Sequence, residues 1–365
     1  MAMEIGIPAE TRADEYRVGL TPQGVSLLTQ TGHRCYVEGE AGKGADFHDT
    51  AYERAGAQIV YDVREVYGRA DMILKVGSLT TNELALLREG QIVCTFWHLA
   101  TRPREVIQTL IDKRISAVAY ETIQQEDGEL SVLHPLSEIA GRMAPQIAAR
   151  WLQNDGGGSG ILISGIAGVP PVDVSILGAG TVGINAARAF LGLGARVLVL
   201  DRKPERLEHI VERFEGRIAT LVAYESNIAQ AVRLSNVLVG AVLVPGARAP
   251  IVVTRDMVRS MRPRSVILDI SIDQGGCVET SRPMTHDNPV FVEEEVIHYC
   301  VPNMPGVVAH TATQAYVNAA LLYIQEVADL GVEEAMTTDP ALMRGVAVHN
   351  GRIYNENLAS LLERN

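Results

Sequence analysis

"SILGAGTVGINAARAFLGLGARVLVLD" runs from Ser175 to Asp201 and decides the fold of the chain around it. It opens as an apolar strand, continues as an alanine-rich helix, and closes as a second apolar strand that stops on an aspartate. Gly178, Gly180 and Gly183 stand between strand and helix with the spacing G-x-G-x-x-G. Gly178 permits a tight turn, Gly180 lets the backbone approach a pyrophosphate, and Gly183 allows close packing of helix on strand. The start of the helix, with Thr181 and Val182, offers free N–H groups and a positive dipole end to phosphate. Asp201 follows at the spacing where a carboxylate meets ribose hydroxyls. A carboxylate there repels a 2′-phosphate and points to NAD rather than NADP; the neighbouring Arg202 and Lys203 soften that repulsion. Alone, the glycine pattern is weak and fits any turn in an α/β protein. The strand before it, the helix after it and the acid beyond make it a dinucleotide site.

The same alternation extends in both directions. Downstream, "KPERLEHIVERF" reads as a helix, and "IATLVAY", "NVLVGAVL" and "SVILDISI" read as strands separated by helices. Upstream, "EIGIPAE", "RCYVEG", "MILKVG", "IVCTFWHL" and "SAVAYET" read as strands, with helices such as "TPQGVSLLTQTG" and "REVIQTLIDKR" between them. Such alternation implies parallel strands with crossover helices. "SEIAGRMAPQIAARWLQ", Ser137 to Gln153, is a longer helix. It ends in "NDGGGSG", a plain loop, because no strand–turn–helix context surrounds those glycines. After "VPNMPG" comes a long helix, "TATQAYVNAALLYIQEVADLG", and then elements that read as peripheral. The expected fold is α/β, with two Rossmann-like doubly wound domains. The NAD-binding domain, 132–307, is expected to be inserted in a discontinuous substrate domain, 1–131 and 308–365. That arrangement would put a cleft between the domains, a common place for hydride transfer.

Composition narrows the function. The chain has 365 residues, more than one core of ordinary size holds. Hydrophobic residues make up 47% and charged residues 21%, which fits a soluble enzyme. The net charge of −12, with no Lys/Arg-rich block, excludes a broad nucleic-acid surface and favours small molecules in a locally basic pocket. Cys35, Cys94, Cys277 and Cys300 form no CxxC pair and no zinc spacing, so we expect reduced thiols in a cytoplasmic protein and no metal. The opening "MAMEIGIPAE" lacks the pattern of a secretory signal, and no apolar run reaches membrane-spanning length.

Four residues carry candidate chemistry. Arg17, in "EYRVGLTP", has the planar fork that matches a carboxylate, yet alone it reads as a solvated loop arginine. Lys75 follows three apolar residues in "MILKVG" and reads as a cleft-facing lysine or a snorkelling one. His98 ends a strand; it is a packed histidine or a group that exchanges protons near neutral pH. Asp273 follows "SVILDISI" and sits where strand ends face a cofactor crevice, whereas Asp269 lies inside that strand and reads as structural.

Taken in order, "EYRVGLTP", "MILKVG", "FWHLA", "VAYET", "SEIAGRM", "GAVLVPGARAP", "DISIDQGGCVETSRP" and "VPNMPG" resemble the alanine dehydrogenase family over nearly the whole chain. The NAD-binding component of proton-translocating transhydrogenase shares the fold and many of these motifs. The resemblance implies an NAD-dependent, reversible oxidative deamination of L-alanine to pyruvate and ammonium. It implies Arg17 on the substrate carboxylate, Lys75 on the carboxylate and carbonyl region, His98 as general acid/base, and Asp273 positioning or activating ammonia or water. It also implies cofactor contacts from Ser137, Val242, Leu243, Arg282, Asn303 and Met304, and a homohexamer. One rival is a transhydrogenase-type NAD(H)-binding component, in which the clamp and His98 would have no purpose. Another is a nucleotide sensor that has lost its chemistry. The sequence departs from its relatives in three places. Lys75 to Leu79 read "KVGSL" where relatives carry "KVKEP". Ala223 and Tyr224 replace a tyrosine–serine pair near the adenosine end. Ala309 and His310 replace a proline and a basic or aromatic residue. None of these removes a catalytic group.

Overall fold

The computed structural model describes residues 2–363. Its strands are β1 (Glu4–Ile7), β2 (Arg34–Glu38), β3 (Gln58–Val60), β4 (Met72–Gly77), β5 (Ile92–Phe96), β6 (Ser116–Ala119), β7 (Asp173–Leu177), β8 (Arg196–Asp201), β9 (Ala219–Val222), β10 (Val237–Gly240), β11 (Val266–Asp269), β12 (Val290–Glu293), β13 (Val296–Tyr299), β14 (Val346–His349) and β15 (Arg352–Ile353). They build two sheets. One runs β15-β14-β6-β5-β4-β1-β2-β3, the other β12-β13-β11-β10-β7-β8-β9. In each, the first strand lies inside the sheet and the chain winds outward from it in both directions. The order reverses at β1/β4 in one sheet and at β7/β10 in the other, and a crevice opens at the carboxyl ends of strands at such a point. Parallel pairing holds throughout except for β14 with β6 and β15, and β12 with β13.

The chain divides into two compact units. The first comprises Met1–Leu136, Pro245–Ala247 and Pro305–Asn365; the second comprises Ser137–Val244 and Arg248–Met304. The second is therefore an insertion in the first, and both are Rossmann-like α/β units.

Parallel strands with helices on both faces are buried on both sides, so they read as continuous apolar runs rather than alternating ones. All of β5 and all of β11 are buried. In the first unit Ile73, Val93, Trp97, Leu110 and Ala117 share one core. In the second, Ile176, Phe190, Val199, Val239 and Leu268 do the same. Lys75 is one charged exception in such a run, 1% exposed within β4, and Asp269 at the end of β11 is another.

Several local expectations change. "SVILDISI" is not strand to its end. β11 stops at Asp269, whose carboxylate accepts from the backbone N–H of Ser271, Cys277 and Val278 at 3.1, 2.9 and 3.1 Å. Those bonds turn the chain into a 3-10 helix, Ile270–Gln274. The helix read from Ser137 starts earlier, at His134, and ends at Leu152. The last strands are not peripheral to the core, because Val346, Ala347 and Val348 of β14 are buried beside β6. "NDGGGSG", read as a plain loop, opens with a 3-10 turn, Asn154–Gly156, and is irregular after it. Arg264 secures it through the carbonyls of Gly157, at 3.0 Å, and Gly158. All four cysteines are unbridged and buried. Among the described residues no helix is long and apolar enough to cross a membrane.

Candidate active site

In the second unit the three glycines are needed for different reasons. Gly178 has φ 108°, and a Cβ there would stand 2.3 Å from the Ala241 carbonyl oxygen, across the β7/β10 reversal. A Cβ on Gly183 would stand 1.9 Å from the Gly178 oxygen. A Cβ on Gly180 would meet nothing within 4 Å, so this residue faces the open space in which a phosphate would lie. The helix Thr181–Gly192 starts there without a capping side chain, leaving its first N–H groups to a ligand. Asp201 ends β8 beside this turn. Its Oδ2 accepts from the Ala179 N–H at 2.8 Å and its Oδ1 from the Lys203 N–H at 2.9 Å. Each oxygen keeps a lone pair for a ribose hydroxyl. The residues fit a dinucleotide.

This geometry separates two substitutions. Gly183→Ala should lower the melting temperature by more than about 10 °C, since the backbone must move. Gly180→Ala should leave it within about 2 °C and weaken NADH at least about tenfold by fluorescence titration. Unchanged NADH affinity in Gly180→Ala would refute the cradle.

Other residues of this unit gather at strand ends. Val242, after β10, donates its N–H to Ser271 Oγ at 2.9 Å. Asp273, half-buried in the 3-10 helix after β11, accepts from the Asn303 N–H at 2.9 Å through Oδ1. Asn303 itself has φ 57°, a left-handed conformation that asparagine enters more readily than most residues. Met304 beside it is buried, and Leu243 is exposed. A Cβ on Gly141 would stand 2.5 Å from the Val182 oxygen, so two helices touch there. Ser137 lies one turn earlier on the same helix face. Arg282 stands elsewhere. Its guanidinium lies 3.9 Å over the Phe291 ring, on the edge strand β12, and 3.7 Å from Glu293.

The first unit assembles Arg17, Lys75 and His98 from the loops and strands around its own reversal. The Lys75 ammonium donates to Glu83 at 2.7 Å and lies 3.0 Å from Glu10. Glu10, in the loop after β1, also accepts from the Val76 N–H at 2.7 Å and so bridges β1 to β4. Glu83 closes a capping box with Thr80. Burial pushes the Lys75 ammonium down, but the two carboxylates outweigh it and hold it above its ordinary value. Burial raises the Glu10 carboxyl, whereas the adjacent ammonium draws Glu83 below its usual range despite burial.

Arg17 is 4% exposed. Its Nε and Nη2 donate to Glu15 at 2.7 and 2.6 Å. Its Nη1 is buried and has no acceptor. Burial works against its charge and Glu15 restores it, so the guanidinium is held above its ordinary value. The following segment is fixed against β4, because a Cβ on Gly19 would stand 2.1 Å from the Leu74 oxygen. Tyr316, on the long helix Ala309–Leu330, holds the Val18 carbonyl from the other side.

His98 is half-buried and sits in the left-handed region with φ 48°. Glu121, buried, receives the His98 N–H at 2.5 Å and the Trp97 N–H at 3.1 Å. The imidazole stacks beside Phe96 with ring centroids 6.4 Å apart. Glu10, Glu15, Glu83 and Glu121 were not among the residues picked out from sequence. Only Glu83 had a local signal, the T-x-x-E box from Thr80.

Comparison with known proteins shows the family. Residues 6–140 match the model of the alanine dehydrogenase/PNT N-terminal domain, and residues 144–356 that of the C-terminal domain. The chain belongs to the alanine dehydrogenase/PNT family. An alanine dehydrogenase from Methanococcus maripaludis is 44% identical over 358 residues, covering 98% of this chain and 96% of that protein. A solved L-alanine dehydrogenase superposes with TM-score 0.91 at 42% identity, over 99% of both chains. A transhydrogenase from Sinorhizobium meliloti shares the fold, with TM-score 0.79 at 23% identity over 96% of this chain and 99% of that one.

Proposed function

We propose that this family member catalyses the NAD-dependent oxidative deamination of L-alanine and its reversal. L-Alanine, NAD⁺ and water give pyruvate, ammonium, NADH and a proton. The observation that carries the reading is the buried Arg17 Nη1 without an acceptor, in a fork whose other donors are already fixed by Glu15. A buried donor is costly to leave unmade, and a carboxylate oxygen is its natural partner.

The cofactor supplies the hydride acceptor when bound at the Gly178–Gly183 turn. The other steps belong to this chain's residues. Arg17 takes one oxygen of the alanine carboxylate. Lys75 has three N–H donors, two of them directed to Glu10 and Glu83, and the third is available to the substrate. After loss of hydride from Cα, water adds to the imine. The His98 imidazole takes a proton from that water and returns one as the carbinolamine collapses. Asp273, steadied by the Asn303 N–H, orients the departing ammonia. We assign the first unit to the substrate and the second to NAD, with Asp201 favouring NAD over NADP. The resemblance carries a cytoplasmic homohexamer into the same reading. The clamp and His98 weigh against a transhydrogenase-type component, which needs neither.

The test is NADH absorbance with purified protein, NAD and L-alanine at alkaline pH, beside glycine, L-serine, L-valine and D-alanine, with NADP in a parallel series. Rapid turnover is expected with L-alanine and NAD. No turnover with any amino acid, despite measurable NADH binding, would overturn the reading.

A further inference from the structure

A second group of polar atoms lies at the same end of the first sheet and takes no part in the chemistry above. It comes from three adjacent strands: Arg12 from the loop after β1, Ser78 from the loop after β4, and Arg102 from the loop after β5. Arg102 Nη2 donates to the Leu79 carbonyl at 2.7 Å, which brings its guanidinium alongside the residues that follow β4. Its Nε is buried and has no acceptor. Ser78, one residue before Leu79, is 4% exposed, and its Oγ is also buried without a partner. The Arg12 side chain passes over Gly77, where a Cβ would stand 3.3 Å from Arg12 Cδ and 3.1 Å from Glu10 Oε2.

The charges are as uneven as the hydrogen bonds. Lys75 and Arg17 are each matched by carboxylates, whereas among the described residues no carboxylate lies within ion-pairing distance of Arg12 or Arg102. Burial and the charge of Arg12 together hold the Arg102 guanidinium below its ordinary value. Two like charges beside two unmade buried hydrogen bonds form a place where an anion relieves repulsion and supplies acceptors at once.

We propose that Arg12, Ser78 and Arg102 form a second oxyanion position, distinct from the Arg17/Lys75 clamp, that takes a carboxylate. That carboxylate is either a free small anion or the distal carboxylate of a dicarboxylic amino acid. The position stands on these atoms and does not rest on the alanine reading.

The test is equilibrium dialysis of ³⁵S-sulfate, as an oxyanion probe, against the full chain with saturating NADH, so that the phosphate-binding turn is filled. Ionic strength is held constant with chloride. A sulfate weakened at least about tenfold by Arg102→Ala and about threefold by Ser78→Ala is expected, told apart from any held at the clamp by repeating the dialysis with Arg17→Met, with circular dichroism showing all variants folded. L-Aspartate displacing the sulfate, where acetate does not, identifies a side-chain carboxylate; displacement by acetate identifies a free anion. Absence of bound sulfate, or binding that neither Arg102→Ala nor Ser78→Ala weakens, overturns the site. Sulfate that no carboxylate displaces overturns the carboxylate assignment. Each result is read without turnover of alanine.

Discussion

His98→Ala lowers kcat for alanine oxidation by about 10²- to 10⁴-fold, the range expected when a general acid/base is removed. NADH affinity, measured by fluorescence titration, stays at the wild-type value, because no residue of the glycine turn changes. The left-handed backbone at His98 sharpens the test. His98 holds φ 48° while its own N–H and that of Trp97 each donate to the buried Glu121 carboxylate, which fixes the backbone from which the imidazole projects. Glu121→Gln exchanges one accepting oxygen for an amide NH2 that faces a backbone N–H, and it should lower kcat while KM for alanine changes little. Wild-type kcat in His98→Ala would remove the histidine from the mechanism.

Lys75→Met costs about 3–5 kcal/mol of stability at neutral pH, as expected when one partner of a buried ion pair is removed. The cost lies in what remains: Glu10 and Glu83 face each other in the interior without a cation. The pH dependence follows from the directions of shift. In the wild type the Glu83 carboxyl is lowered, so its stabilisation is full above its ordinary value of 4.5 and is lost as pH falls through the lowered one. The Lys75 ammonium is raised, so its contribution is full below its ordinary value of 10.5 and is lost as pH rises through the raised one. In the variant both carboxyls are raised, the folded state takes up protons before the unfolded state does, and stability rises as pH falls. Urea unfolding should therefore show the gap between wild type and variant narrowing from about pH 7 to about pH 5. A gap that stays constant over that range would show that the carboxylates do not carry the loss.

The fold was legible because parallel strands and crossover helices leave a local record. Apolar runs of strand length, helices between them and one glycine fingerprint define both windings without any distant information. The strand ends were less legible. Asp269 stops β11 through backbone groups at 271, 277 and 278, a pattern that "SVILDISI" does not display. The site divides in the same way. Arg17, Lys75, His98 and Asp273 stand in motifs that can be matched. Their carboxylate partners could not be matched, because a pair such as Glu10 and Val76 is 66 residues apart in sequence and is created by the reversal of strand order. Glu121 lies within the quoted "VAYET", but its role depends on a backbone 23 residues earlier, just past the end of the neighbouring strand β5.

The placement of β14 bears on how this chain is made. β6 pairs on one side with β5, which precedes it closely, and on the other with β14. Ser116 and His349, which meet across that second pairing, are 233 residues apart. A ribosome therefore completes the whole inserted unit while one side of β6 still presents unpaired N–H and C=O groups along an apolar strand. Such an edge recruits other strands, including those of neighbouring nascent chains. Early closure of the inserted unit as its own folding body would shorten the wait, since the returning segment then starts from a compact, tethered object rather than a long coil. The late strand thus acts as a seal on the first sheet, and the interval before it arrives is when the polypeptide is most exposed to aggregation.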